Sequence, residues 1–343
     1  MERYQVSKRI YWIDILKIMA CFFVIVNHCL HVMLNYGVNN KILVFIYFFM
    51  FSICKIAVPL FIMCTGYLLL NKKMSYKQVM IRITRILVPL FVISLIFYMI
   101  NNDTFNLFIF MKKFIEYPIV EPLWYLYMLI GLYISMPFIQ KMLDNFKEND
   151  YKIFILLFLL IPGLLQFVLV YLKINVNEYF TMAIFPASIA YMVSGVYLKK
   201  IKLNRQNLLM SIFLFILSTY ILAVSFYVFY FNNYINPYDL DYIFYIPIIL
   251  SSLSMFYIVR YIFENKKINF VSCKIIKEIS LTTFGIYLIH PFFIYKIYNL
   301  YVIQNIFEVS VYLGMLIYLL TMFIWCSVII FFIKKIPIIK KFL

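Results

Sequence analysis

Charged side chains are scarce in this chain. Asp, Glu, Lys and Arg together make up 13% of its 343 residues, whereas a typical soluble domain carries about 25%. Hydrophobic residues make up 66% of the chain, and the mean hydropathy is +0.94. This composition excludes an ordinary water-soluble protein. We expect an integral membrane protein with a single domain over residues 1–343 and no soluble domain appended.

Acidic residues are the scarcer charge, since 14 Asp and Glu face 31 Lys and Arg. In a soluble protein that excess would suggest nucleic acid, but basic residues also concentrate in the cytoplasmic loops of membrane proteins. We therefore expect no nucleic-acid partner. None of the six cysteines forms a CxxC pair, so neither a disulfide framework nor a zinc site is predicted. The N-terminal MERYQVSKRI lacks a small-residue cleavage site, which predicts that the first helix is retained.

Long apolar runs predict an all-α, polytopic integral membrane helix bundle with about ten transmembrane helices, because roughly 20 apolar residues cross a bilayer core. The second run contains Pro59, where we expect a tilt or a break. The predicted spans are residues 11–34, 42–70, 84–100, 123–140, 153–172, 180–198, 208–231, 243–263, 280–303 and 311–333.

The distribution of Lys and Arg predicts the orientation of these spans. With the N-terminus inside, the inner segments hold 24 of the 31 basic residues and the outer segments hold 4. This bias is typical of a cell (plasma) membrane protein with both termini in the cytoplasm. The outer segment 101–122 is half apolar, which predicts a helix lying in the membrane interface.

Three ionisable residues occupy the first predicted span: Asp14, Lys17 and His28. Lys17 and His28 are 11 residues apart, so they lie within about 20° of one face and about 16 Å apart along the axis. Asp14 falls on the same stripe and precedes Lys17 by three residues, a spacing that allows an ion pair keeping Lys17 charged. Charge inside a membrane usually marks an interior or aqueous site.

His28 is the candidate catalytic residue of this stripe. A neutral imidazole accepts a proton from a hydroxyl near neutral pH. The alternative is that His28 only hydrogen-bonds a neighbouring helix. His31, one turn further, is expected at the outer interface. A metal site of His28 and His31 has no evident third ligand, so no metal is predicted.

A second candidate site is the pair Arg82 and Arg85, one turn apart at the start of the third span. Planar guanidinium groups match phosphate oxygens, so the pair suits a polyphosphate arriving from the cytosol. The alternative is ordinary basic flanking of a membrane helix, which we accept for the neighbouring lysines, Lys72, Lys73 and Lys77.

Weaker candidates for substrate binding are Tyr67, Glu121, Trp124 and His290. Tyr67 follows small residues that allow close helix packing, and Glu121 and Trp124 stand at the outer edge of the fourth span. A Trp at an interface is common in membrane proteins. Pro291 loosens the helix after His290 and so favours a polar spot there, or simply a packed kink.

These motifs resemble the membrane-bound acyltransferase-3 family. Asp14 and the Lys17-x10-His28 spacing resemble its (R/K)-x10-H signature, and Arg82-x-x-Arg85 resembles its second basic motif. CTGYLL at 64–69 is similar to the family's SGY or SGF segment, with Thr65 in place of Ser. LWYLYMLIGLYI and GIYLIHPFF are also similar to recurrent stretches. The resemblance covers about residues 10–333.

The resemblance implies transfer of an acyl group, commonly acetyl, from cytoplasmic acyl-CoA to a hydroxyl of a cell-surface polysaccharide or lipid-linked glycan precursor. It implies that His28 is the essential histidine, with Lys17 as its basic partner and Arg82 and Arg85 as acyl-CoA contacts. Acyl-CoA, such as acetyl-CoA, is then a co-substrate, and no bound cofactor is expected.

Two other functions fit the residues. A transporter or flippase of a glycan or lipid intermediate also has many helices with intramembrane charge. Transporters tend to show paired broken helices in two related halves, and this sequence shows no such symmetry. A membrane scaffold for glycan assembly is the third alternative, and it predicts that His28 is dispensable.

Overall fold

The computed structural model describes residues 9–36, 40–102, 104–172, 174, 187–232, 243–266 and 269–342. Within those ranges the regular secondary structure is helical and contains no strand. The prediction of an all-α polytopic bundle is confirmed. The helices are α1 Tyr11–Cys29, α2 His31–Asn35, α3 Lys41–Cys54, α4 Ala57–Leu69, α5 Tyr76–Asn101, α6 Leu107–Glu116, α7 Trp124–Asp144, α8 Glu148–Phe158, α9 Gln166–Tyr171, α10 Ala187–Lys200, α11 Arg205–Asn232, α12 Ile246–Phe263, α13 Phe270–Tyr298, α14 Tyr301–Val309, α15 Val311–Ile333 and α16 Pro337–Lys340.

Eight helical segments of the described chain are long and apolar enough to cross a membrane. Each overlaps one predicted span. They are Tyr11–Asn35, Lys41–Leu69, Tyr76–Asn101, Glu121–Asp144, Glu148–Tyr171, Arg205–Asn232, Ile246–Phe263 and Val311–Ile333.

The other two predicted spans are only partly matched. The span 180–198 begins outside the described residues, and its described part belongs to α10. The span 280–303 falls largely in α13, whose 29 residues extend about 43 Å. That helix ends at Tyr298, and residues 301–303 start the separate helix α14, so the predicted end was too late.

The second span is broken, but the break precedes the predicted position at Pro59. Helix α3 ends at Cys54 and α4 begins at Ala57, with Lys55 and Ile56 between them. Proline has no N–H, so the carbonyl four residues earlier, on Lys55, cannot receive its helical hydrogen bond. The break therefore falls at Lys55, whose side chain is buried inside the bundle.

The predicted interfacial helix is present as α6, which covers Leu107–Glu116. Phe110 and Phe114 pack into the core, while Phe108 and Ile115 are exposed on other faces. Its amphipathic character fits a helix lying along the interface. Its depth in a bilayer remains a prediction.

Helix α1 lies at the centre and packs against α13, α4 and α3. Two glycines hold the next layer together. A Cβ on Gly66 would overlap the carbonyl of Met192, and one on Gly195 would overlap the carbonyl of Met63. Small residues let membrane helices approach this closely. The α4–α10 contact thereby fixes the scaffold against which α1 presents its polar stripe.

Candidate active site

A cavity of about 940 Å³ lies at the end of the bundle where α1 begins. We call it the basic cavity. It contains Lys17 from α1 together with Arg82 and Arg85 from α5, so the fold brings the three predicted phosphate contacts together. Tyr133 of α7 also lines it, and its hydroxyl lies beside Arg82. Guanidinium and ammonium groups on facing helices can bind one polyanion from two sides.

Five further lysines line the basic cavity, and the sequence pattern had not singled them out. They bring the cations of its described lining to eight, against the single carboxylate of Glu278. In the sequence, these five resemble ordinary basic flanks of membrane helices. The additional residues are Lys277, Lys334, Lys335, Lys340 and Lys341.

Asp14 does not pair with Lys17, so that prediction was wrong. Arg9 Nε lies 2.6 Å from Asp14 Oδ2, and Arg9 Nη2 lies 3.2 Å from Oδ1. Ser280 Oγ donates to Oδ1 at 2.7 Å. Arg9 precedes α1 and reaches back to the carboxylate, so Asp14 ties α1 to α13. Asp14 lines neither of the two cavities described here, whereas Lys17 lines the basic one.

A second cavity, of about 220 Å³, surrounds His28. We call it the histidine cavity. Glu121 and Trp124 line it too, so three residues that the sequence singled out separately share one site. Lys55, at the break between α3 and α4, and Tyr287 of α13 complete its polar lining along with Asn27.

His28 faces His290, with ring centroids 5.4 Å apart and an angle of 36° between the rings. His290 Nδ1 lies 2.7 Å from the carbonyl oxygen of Tyr287. A carbonyl only accepts, so Nδ1 carries the proton and Nε2 of the neutral ring is an acceptor. That Nε2 is buried and has no hydrogen-bond partner within the described residues.

A hydrogen bond joins α13 to the turn that carries Glu121. The Tyr287 hydroxyl donates to the carbonyl of Pro122, which lies in the 3₁₀ turn Glu121–Leu123. Tyr125 packs edge-on against Tyr287 at 5.9 Å between centroids. These contacts hold the acidic edge of the histidine cavity against the helix that bears His290.

The two cavities are arranged along α1 and α13, and they share no lining residue. Lys17 and His28 are about 16 Å apart along α1. On α13 the nearest lining residues are Phe284 of the basic cavity and Tyr287 of the histidine cavity. They are three positions apart, which is about 4.5 Å along the helix axis.

Two other candidates lie away from these cavities. Tyr67 lines neither one; its ring packs edge-on against Trp12 at 4.9 Å, and Lys199 Nζ lies 4.9 Å from its centroid. The structure therefore does not bring Tyr67 to the other candidates. His31 Nδ1 is 2.9 Å from the backbone oxygen of His28. In the described ranges, no three His, Cys, Asp or Glu side chains gather as a metal site would require.

Together these features define a polytopic helical membrane protein in which a polyanion-sized basic cavity lies along one helix from a pair of facing histidines. The sequence model of a family described as an acyltransferase domain, Acyl_transf_3, matches residues 10–332. The chain belongs to this acyltransferase family, which confirms the resemblance and supports membrane acyl transfer. No curated protein and no solved structure matches the chain significantly.

Proposed function

We propose that this protein transfers an acyl group, acetyl in the simplest case, from cytoplasmic acyl-CoA to a hydroxyl of a cell-surface polysaccharide or a lipid-linked glycan precursor. Family membership supplies the reaction class. The observation that carries the finer proposal is that the basic cavity and the histidine cavity follow one another along α1 and α13.

In this proposal the protein lies in the plasma membrane, the basic cavity opens to the cytosol and both termini are cytoplasmic. The distribution of Lys and Arg between the predicted inner and outer segments supports this orientation. Arg82, Arg85 and Lys17 bind the pyrophosphate of the donor. Their position supports this role because the thioester arm can then extend along α1 toward His28 while the charged groups stay at the membrane edge. Charge-assisted contacts to phosphate are among the stronger hydrogen bonds.

His28 acts as the general base in the histidine cavity. It takes the proton from the acceptor hydroxyl while the oxygen attacks the thioester carbonyl. The carbon–sulfur bond then breaks, and the CoA thiolate leaves and recovers the proton from the imidazolium. A positioned base of this kind contributes about 10²–10⁴-fold to the rate.

His290 positions His28 in this scheme. Its own ring is anchored by the Tyr287 carbonyl and lies against the imidazole of His28. Its unprotonated Nε2 is an acceptor for an N–H. A fixed neighbour restricts the orientation of the catalytic ring, which favours the reactive geometry.

Glu121 and Trp124 contact the acceptor at the open edge of the histidine cavity. A carboxylate accepts hydrogen bonds from several hydroxyls at once, and an indole offers a flat apolar face with one polar edge. Both properties suit a sugar. The placement of the two residues beside His28 supports this assignment.

The proposal is tested with membranes that contain the protein, labelled acetyl-CoA and surface glycan. We expect label on the glycan, and a fall of about 10²–10⁴-fold in His28→Ala at equal protein level. His31→Ala is the matched control, one turn away and outside both cavities, and should retain activity within about tenfold. If the His28→Ala variant labels the glycan as well as the wild type does, His28 is not the general base.

The transporter alternative shares one feature with this structure, the break in the second span beside buried Lys55. Transporters use such broken helices at their binding sites. The same membranes distinguish the two functions. Movement of glycan across the bilayer without incorporation of label would favour transport over acyl transfer.

A further inference from the structure

The basic cavity contains more cations than a pyrophosphate needs. Lys17, Arg82 and Arg85 line one side. Another part of the lining comes from α13 and from the chain that follows α15, and we call this part the tail wall. Its lysines form no ion pair within the described residues. They are Lys277, Lys334, Lys335, Lys340 and Lys341.

Lys334 shows that this wall is short of negative charge. It directly follows α15, and both burial and the nearby cations Lys340, Arg9 and Lys277 lower its pKa, with only Glu278 acting in the opposite direction. Like charges that crowd a partly buried ammonium disfavour its charged form. An anion bound among these lysines relieves that repulsion.

Arg260 illustrates how a structural cation is satisfied in this protein. Its Nε donates to Glu264 Oε2 at 2.8 Å, and its Nη1 donates to the carbonyls of Leu198 and Ile201. Carboxylate and carbonyl partners thus saturate a guanidinium that only holds helix ends together. Within the described residues, the lysines of the tail wall have no carboxylate or carbonyl partner of this kind, and Lys335 contacts only the rings of Phe331 and Phe332. Their charges are therefore available to an anion in the basic cavity.

The tail lies beside an apolar cavity as well as the basic one. Ile339 and Phe342 line an apolar cavity of about 390 Å³ together with Gly285 of α13 and Ile330 of α15. Phe342 also lines the basic cavity. The short helix α16 thus lies between the two cavities, with Ile339 on the apolar one and Lys340 and Lys341 on the basic one.

We propose that the tail wall is a binding site for a phosphate monoester, namely the 3′-phosphate at the nucleoside end of coenzyme A. This inference rests on the proposed function. The thioester must point toward His28, so the pyrophosphate meets Arg82 and Arg85 and the nucleoside end remains at the rim. A phosphate monoester carries about −1.5 to −2 charges at neutral pH, and the ring of Phe342 suits stacking with adenine.

The test compares acetyl-CoA with acetyl-dephospho-CoA, which lacks only the 3′-phosphate. The full-length protein in proteoliposomes is assayed as wild type and as Lys340→Ala/Lys341→Ala. We expect the wild type to show a KM about tenfold lower for acetyl-CoA. The tail variant should lose that preference, with a raised KM for acetyl-CoA, an unchanged KM for acetyl-dephospho-CoA and an unchanged kcat.

The matched control is Lys73→Ala/Lys77→Ala, which removes the same charge from exposed lysines outside the cavity. It should keep the wild-type preference. A wild type without preference, or a tail variant that loses affinity equally for both donors, overturns the inference. Another contrary outcome is that the lysines respond to anionic lipid in the vesicles and not to the 3′-phosphate of the donor. That result assigns the tail wall to lipid headgroups and also overturns the inference.

Failure of the proposed function gives a different result. If no label reaches the glycan from either donor, displacement of labelled CoA by unlabelled CoA and dephospho-CoA replaces the kinetic assay. A tenfold difference in wild type that disappears in the tail variant supports the phosphate site without catalysis. Equal displacement by both nucleotides overturns it.

Discussion

The two cavities differ in size and in the kind of lining. The basic cavity has a volume of about 940 Å³, eight cations and one carboxylate in its described lining, whereas the histidine cavity has about 220 Å³ and single copies of imidazole, ammonium and carboxylate. Several exposed charges share the binding of a polyanion, and each is screened by salt. The single imidazole that lines the histidine cavity has no substitute there. Loss of a single cation should therefore act gradually in the basic cavity, whereas loss of His28 should act abruptly in the histidine cavity.

Both cavities depend on the same scaffold, so the largest effect should come from breaking it. Gly195→Ala places a methyl group against the carbonyl of Met63 in the α4–α10 contact. Overpacking of this kind costs about 1–3 kcal/mol. We expect a lower unfolding temperature of the purified protein and loss of both CoA binding and transfer.

Gly131→Ala is the matched control for this scaffold prediction, because a Cβ there meets nothing within 4 Å. It lies inside helix α7, where alanine is favoured over glycine by about 1 kcal/mol. We expect equal or higher thermal stability and normal transfer. Equal destabilisation by both substitutions would mean that the close approach of α4 and α10 is unimportant.

The second largest effect should come from Arg82→Ala/Arg85→Ala, which removes both guanidinium groups from the basic cavity. Each lost charged contact to phosphate costs about 1.5–3 kcal/mol when buried and less when exposed. We expect the KM for acetyl-CoA to rise about a hundredfold with kcat within about threefold, measured by initial rates at varied donor concentration.

The pair Arg82→Lys/Arg85→Lys sharpens this prediction. It keeps the charge but loses the planar fork that binds phosphate through two N–H groups. An intermediate KM is expected. A fall in kcat at unchanged KM in either variant would contradict the division of roles between the two cavities.

The smallest effect should come from His290→Gln, behind His28 and outside the lining of the histidine cavity. If His290 only orients His28, its loss leaves the base in place but less well positioned. We expect kcat to fall about tenfold while the KM for acetyl-CoA stays unchanged. A change in the KM for acetyl-CoA alone would mean that His290 takes part in donor binding. Unchanged kinetics would mean that His290 only packs against its neighbours.

The sequence allowed good predictions where a local pattern decides the outcome. Apolar runs located the spans, and helical periodicity placed Lys17 and His28 on one stripe. The break in the second span could have been assigned to Lys55, because proline removes the hydrogen bond of the residue four positions earlier. Its placement at Pro59 itself overlooked that rule.

The same local patterns could not predict contacts between residues that are far apart in the sequence. His28 and His290 are 262 positions apart, and periodicity shows which face of a helix is polar but not which helix it meets. Asp14 was assigned to Lys17 because helical spacing ignores Arg9, which lies before the helix. The lysines of the tail wall have the sequence pattern of any solvated flank, and only the fold of the tail brings them to the cavity.

The single turn of α13 between Phe284 and Tyr287 has a consequence for the reaction we propose. A bilayer's hydrocarbon layer is about 30 Å thick, yet the nearest lining residues of the two cavities on that helix are only about 4.5 Å apart along its axis. In the reaction we propose, only the acyl end of the donor enters the histidine cavity, and its nucleotide stays on the cytosolic side. Under this proposal, the cell exports an activated group without exporting its carrier.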